Sequence, residues 1–207
     1  MQKLLIRLYK ALKMLKYLIL VKVHTKWSAL VFWLNGVKFN SFVTQGVPYV
    51  HVSLDAICIF GKRLTMNNGV IFSNSGGNGK CRIEVRQGAV LLIGEDVGMS
   101  DVTITCHNKI TIGNNVLLGV GAQIRDTDNH SLNPQDWING KDWENKKTAP
   151  IIIGNNVFIG AYSHILKGVS IGNNSVVGAG SVVTKNIPAR EIWAGNPAKY
   201  IKKMEDE

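Results

Sequence analysis

Apolar residues recur every six positions through the second half of the chain, at Ile153, Ile159, Ile165, Ile171, Val177 and Val183. A spacing of six is a multiple of the strand period of 2 and not of the helical period of 3.6, so it keeps one face only on extended backbone. The pattern therefore predicts a run of short strands. Two residues before each later anchor stand Val157, Ser163, Val169, Ser175 and Ser181, small or β-branched, on the anchors' own side. Between them Phe158, His164, Ser170, Val176 and Val182 face outward, and the three apolar ones predict an outer face covered by another subunit. Glycine follows four of the anchors, at Gly154, Gly160, Gly172 and Gly178, where a corner needs its conformational freedom.

The tetrapeptide Ile-Gly-Asn-Asn begins at Ile112, Ile153 and Ile171, and its last two copies lie eighteen residues apart. Eighteen is three strands of six, so the economical arrangement is a coil of three strands that returns to the same face. Asn-Asn suits the corners because asparagine tolerates the left-handed region and bonds its own backbone. Ile112, Leu118 and Ile124 keep the register upstream, and fragments persist at Phe60, Met66, Phe72, Ile93 and Met99, which predicts less regular early coils. The repeat breaks between Arg125 and Ala149, a polar insertion, and resumes at Ile151.

Charge divides the chain differently. Residues 1–50 hold eight bases and no acid, whereas the remainder holds 16 bases against 14 acids. On a helix Lys3, Arg7, Lys10, Lys13 and Lys16 fall on one half, and Leu4, Leu5, Leu8, Leu12, Leu15, Leu18 and Ile19 on the other. The reading is a basic amphipathic helical segment at 1–50, a repeat domain at 51–203 with the inserted loop 125–149, and an acidic tail at 204–207. Two roles suit the helix: residues 1–40 lie on an anionic membrane surface, or they pack on the end of the repeat domain. Lysines interrupt the apolar stretch, which excludes a signal peptide and a spanning helix, and no nucleic-acid recognition motif accompanies the charge. Cys58, Cys81 and Cys106 form no C-x-x-C pair and suit the cytoplasm, on the inner face of the membrane if the helix attaches there.

From Ile153 to Pro188, and through Ile192-Trp193-Ala194-Gly195-Asn196-Pro197-Ala198-Lys199, the chain resembles the hexapeptide-repeat acyltransferases, in particular galactoside, maltose, capsular and lipopolysaccharide O-acetyltransferases. The likeness covers residues 55–203. It implies a mainly β fold, a left-handed parallel β-helix, a homotrimer with sites between subunits, and acetyl-CoA as donor. The left hand comes from the resemblance, because periodicity alone favours the right-handed crossover.

Acetyl transfer to a hydroxyl needs a base, and imidazole suits the task. His130, within Ile124-Arg125-Asp126-Thr127-Asp128-Asn129-His130, resembles the family's catalytic histidine. Asp126 and Asp128 are candidates to orient its ring, or else to cap turns. The resemblance aligns donor-binding positions with Ala161, Ala179, Thr184, Lys185, Lys199 and Lys202; Lys199 and Lys202 replace arginines and lose a bidentate grip on phosphate. On the acceptor side, the resemblance aligns an asparagine contact of the relative near Met99 or Ser100, so that contact is absent or altered, and Trp137 and Trp143 either stack on a sugar or pack the loop. No two of the five histidines are five positions apart, as the zinc enzymes of similar fold require, so no metal is expected. The expected reaction is transfer to a saccharide hydroxyl. A nucleotide-sugar amine, a xenobiotic alcohol and a non-catalytic scaffold are the alternatives, since the fold by itself does not choose a function.

Overall fold

The computed structural model describes residues 1–69 and 79–205, so Phe72 and residues 206 and 207 of the acidic tail lie outside the described residues. After one long helix the described chain is mainly β, in three sheets. The first sheet contains Lys38–Phe39, Ile57–Phe60, Val90–Ile93, Lys109–Ile112, Ile151–Ile153 and Ser170–Ile171. The second contains Phe42–Gln45, Leu64–Asn67, Gly98–Ser100, Leu117–Leu118, Phe158–Ile159, Val176–Val177, Glu191–Ala194 and Lys199–Lys203. Tyr49–Val52, Arg82–Val85, Thr103–Cys106, Gln123–Arg125, His164–Ile165 and Val182–Val183 form the third. The chain visits the sheets in turn and returns to the first, and neighbouring strands pair in parallel except the last two.

All six anchors and all five small partners are buried, and the hydroxyls among them are satisfied. Ser163 and Ser181 both donate to the Gly178 carbonyl, at 2.9 and 2.6 Å, and Ser175 donates to that of Pro188 at 2.9 Å. Phe158 is exposed, while His164, Ser170, Val176 and Val182 are half-buried.

Asparagine builds the corner between the first and second sheets. Asn115, Asn156 and Asn174 have φ of 55°, 56° and 57° and stack their amides, at 3.1 Å from Asn115 to Asn156 and 2.8 Å from Asn156 to Asn174. Their neighbours form a second column: the Asn155 side chain accepts from the Asn114 amide at 2.8 Å, and that of Asn173 from the Asn155 amide at 2.7 Å. Coils are close here, so a Cβ on Gly113 would lie 2.7 Å from the Gly154 carbonyl oxygen.

Strands begin at Lys38, ahead of the expected boundary at 51, because aromatic packing seals this end of the core. Phe32 is fully buried, with ring centroids 5.8, 4.9 and 5.4 Å from Phe39, Phe42 and Phe60. Phe32 belongs to helix α1 (Gln2–Leu34), which docks its C-terminal half on the first coil. The Gly46 amide donates to His24 Nδ1 at 3.1 Å, and the Thr44 amide to Thr25 Oγ1 at the same distance. The N-terminal half carries its leucine face in the open: Leu4, Leu8, Leu12 and Leu15 are each more than half exposed. No helix among the described residues is long and apolar enough to cross a membrane.

Candidate active site

The polar insertion leaves the end of the third-sheet strand Gln123–Arg125 and returns at the first-sheet strand Ile151–Ile153. An antiparallel bridge between Thr127 and Thr148 closes its base, with the Asp128 amide donating to the Lys147 carbonyl at 3.1 Å. Two short helices fill it, α2 (Pro134–Ile138) and α3 (Asp142–Asn145). Asn133 caps α2 by accepting from the Gln135 amide, and proline at the first helical position suits that start.

His130 stands on this loop with 73% of its side chain exposed, and its Nδ1 lies 2.6 Å from Asp142 Oδ2. The other Asp142 oxygen accepts from the Ser131 amide at 2.7 Å. An anionic acceptor on Nδ1 favours the tautomer that carries its proton there, leaving the Nε2 lone pair free to accept one. The hydrogen bond from His130, and then that from the Ser131 amide, hold the Asp142 carboxyl below its ordinary value. Such a pair can act as a general base with an orienting carboxylate.

The expected orienters have other partners, and the carboxylate beside His130 is that of Asp142. Asp126 is completely buried, and its oxygens accept from the His107 and Asn108 amides at 2.7 and 2.8 Å, so it fixes the corner beneath the loop. Asp128 bonds Lys167 Nζ at 2.6 Å. Asp142 carries no signal in the sequence, because the insertion has no repeat and eleven loop residues stand between it and His130. Trp137, more than half exposed, donates its Nε1 proton to the Ser131 carbonyl at 2.8 Å, which ties it to the loop backbone. Trp143 follows Asp142 directly, with Arg86, His107 and Lys146 around its ring. Ser100 accepts from Asn67 at 3.0 Å at the end of a second-sheet strand, across the third face from the corner that emits the loop. Among the described residues Ser100 and His130 share no hydrogen bond.

A family profile described as the hexapeptide repeat of succinyl-transferase matches residues 150–185. Over 106 residues the chain is 41% identical to the galactoside O-acetyltransferase of Escherichia coli, a match spanning 51% of this chain and 50% of that protein. Its fold is similar to that of a galactoside acetyltransferase solved in complex with coenzyme A, at 30% identity and a TM-score of 0.53, over 82% of this chain and 65% of that one. The chain carries the hexapeptide repeat and is similar to acetyltransferases in sequence and in fold. A family structure from Vibrio cholerae O1 biovar eltor, complexed with acetyl coenzyme A, is similar in fold at 24% identity and a TM-score of 0.57, over 86% of this chain and 76% of that one. The chain spans about half the length of the curated relatives it matches.

The donor-binding positions expected from the resemblance fall on two corners and on the closing strand. Ala161 and Ala179 follow second-sheet strands one coil apart, and the Gly180 amide donates to the Ala161 carbonyl at 2.7 Å. Thr184 and Lys185 follow the third-sheet strand Val182–Val183, at the corner that emits the His130 loop higher in the stack. Lys199 and Lys202 sit on the closing antiparallel strand, opposite Ala194 and Ile192. All are exposed except Ala161, which is half-buried. Among the described residues no three His, Cys, Asp or Glu side chains converge as a metal site.

Proposed function

We propose that this protein is an acetyl-CoA-dependent O-acetyltransferase acting on a saccharide hydroxyl, with His130 as general base. The observation that carries this reading is the His130–Asp142 pair on the loop that interrupts the repeat after Arg125. Nε2 of His130 takes the acceptor hydroxyl proton as the oxygen bonds to the thioester carbonyl carbon. When the carbon–sulfur bond breaks, the imidazolium returns that proton to the leaving CoA sulfur, so no acyl-enzyme forms and no proton is left over. Asp142 stabilises the imidazolium in between. Exposed Lys185, Lys199 and Lys202 suit the phosphates of CoA, and exposed corner backbone at Ala179 suits its pantetheine arm.

The repeat family implies a left-handed β-helix assembled as a homotrimer. Support for assembly comes from the split between corners, since a donor touching both is completed by a neighbouring copy. The leucine face of α1 and its uninterrupted positive charge support attachment to an anionic membrane surface. Sedimentation with phosphatidylglycerol vesicles tests this, and equal partitioning of the full chain and a form lacking residues 1–22 refutes it. The enzymatic reading is tested by CoA release from acetyl-CoA over a panel of sugars and sugar conjugates. Absence of release, together with no thermal stabilisation by millimolar CoA, favours the non-catalytic scaffold.

A further inference from the structure

Beside the His130 loop, the third sheet carries a concentration of cations on the coils that precede it. Arg82, Arg86, His107 and Arg125 line two adjoining cavities of about 320 and 290 Å³ that share Arg86, His107 and Trp143. Lys146 of the loop closes the larger one. Trp143 is the common wall: Arg86 lies 5.5 Å from its ring centroid and His107 5.6 Å. Trp143 follows Asp142, which holds His130, so the pocket wall and the partner of the base are consecutive residues.

Three features mark this as more than a solvated charged face. Nε of both Arg86 and Arg125 is buried with no hydrogen-bond partner, a costly state for a guanidinium donor. Glu84 answers one of the cations, through Arg86, and leaves the lining clearly positive. Burial, and then the charge of Arg86, push Lys146 below its ordinary value; burial, and then the charge of Lys146, do the same to His107. An anion relieves both repulsions. The expected donor positions begin at Ala161, on coils beyond the loop, so this pocket lies on the other side of His130 from them along the stack.

We propose that this pocket binds the phosphate of a charged acceptor, a sugar joined to a phosphate or diphosphate, and so presents its hydroxyl to His130. The inference rests on the acetyltransferase reading for the reaction but not for the binding. Arginine and lysine supply charge-assisted hydrogen bonds to phosphate oxygens.

Isothermal titration of the full chain with inorganic diphosphate, UDP-glucose, a short-chain prenyl diphosphate glucose, methyl glucoside and glucuronate tests the binding. Diphosphate and at least one diphosphate sugar should bind, with affinity falling as salt rises, and methyl glucoside and glucuronate should bind at least about tenfold more weakly. Which conjugate binds better separates a nucleotide source from a lipid source. Arg86→Gln should weaken diphosphate binding about tenfold or more and leave CoA affinity unchanged. Lys146→Gln, on the loop surface, makes the same test should Arg86→Gln fail to fold. Equal affinity for neutral and phosphorylated sugars, or loss of CoA binding in place of diphosphate binding, overturns the inference. Diphosphate binding lost in the variants, without acetyl transfer by the wild type, upholds the pocket and refutes the proposed reaction.

Discussion

Asp142 bonds His130 Nδ1 at 2.6 Å with one carboxylate oxygen and the Ser131 amide at 2.7 Å with the other, so a single side chain fixes both the ring and the backbone that carries it. An amide in its place keeps much of the shape but loses the charge that selects the tautomer and stabilises the imidazolium. Asp142→Asn should therefore lower kcat about 100-fold or more while KM for acetyl-CoA moves by less than about threefold. Steady-state kinetics separate the two quantities.

The same carboxylate gives the loop an acid limit. Its folded value lies below the ordinary 3.8, so its contribution to loop order is complete above that value and is lost as pH falls through the depressed one. Acid titration followed by Trp137 and Trp143 fluorescence should show a loop transition below pH 3.8 that is absent in Asp142→Asn.

Corner packing predicts a stability effect remote from the site. Gly113→Ala puts a methyl group 2.7 Å from the Gly154 carbonyl oxygen, against backbone tied to the next coil. The cost should be about 1–3 kcal/mol, as for overpacking elsewhere, read from denaturant unfolding. Gly88→Ala is a contrasting control: its Cβ would meet nothing, and its φ of 70° leaves only the cost of a left-handed alanine.

The cysteines should be inert in the folded protein. Burial pushes the Cys58 and Cys81 thiols up to about 12 from 9.0, and raises that of Cys106 too. Buried neutral thiols neither ionise nor meet reagent, so native protein should not react with Ellman's reagent at pH 8, whereas protein in denaturant should release three equivalents. A raised folded value means that the stabilisation is intact below 9.0 and is lost as pH rises toward 12, so melting temperature should fall across that alkaline window.

How legible the molecule was in its sequence follows from where its coils are regular. Ile153 pairs with Ile171 eighteen residues on, which is why the six-residue register exposes the downstream strands, their buried anchors and the asparagine corners. Ile83 pairs with Ile104 twenty-one residues on, and Ile104 with Ile124 after twenty, because extra residues occupy the corners there. That drift hides the upstream coils, and with them the alignment that gathers Arg82, Arg86, His107 and Arg125 on one face. The insertion was visible as a break, and His130 within it. Its contacts were not, since they depend on how α2 and α3 fold back and no period governs them. Asp126 shows the converse: beside His130 in sequence, it turns inward to satisfy two backbone amides.

The central claim is tested most directly by measuring acetyl transfer and CoA binding together in His130→Ala. The account predicts a kcat lowered about 10²- to 10⁴-fold at unchanged CoA affinity and unchanged oligomeric state. A variant that keeps most of the wild-type rate would contradict it.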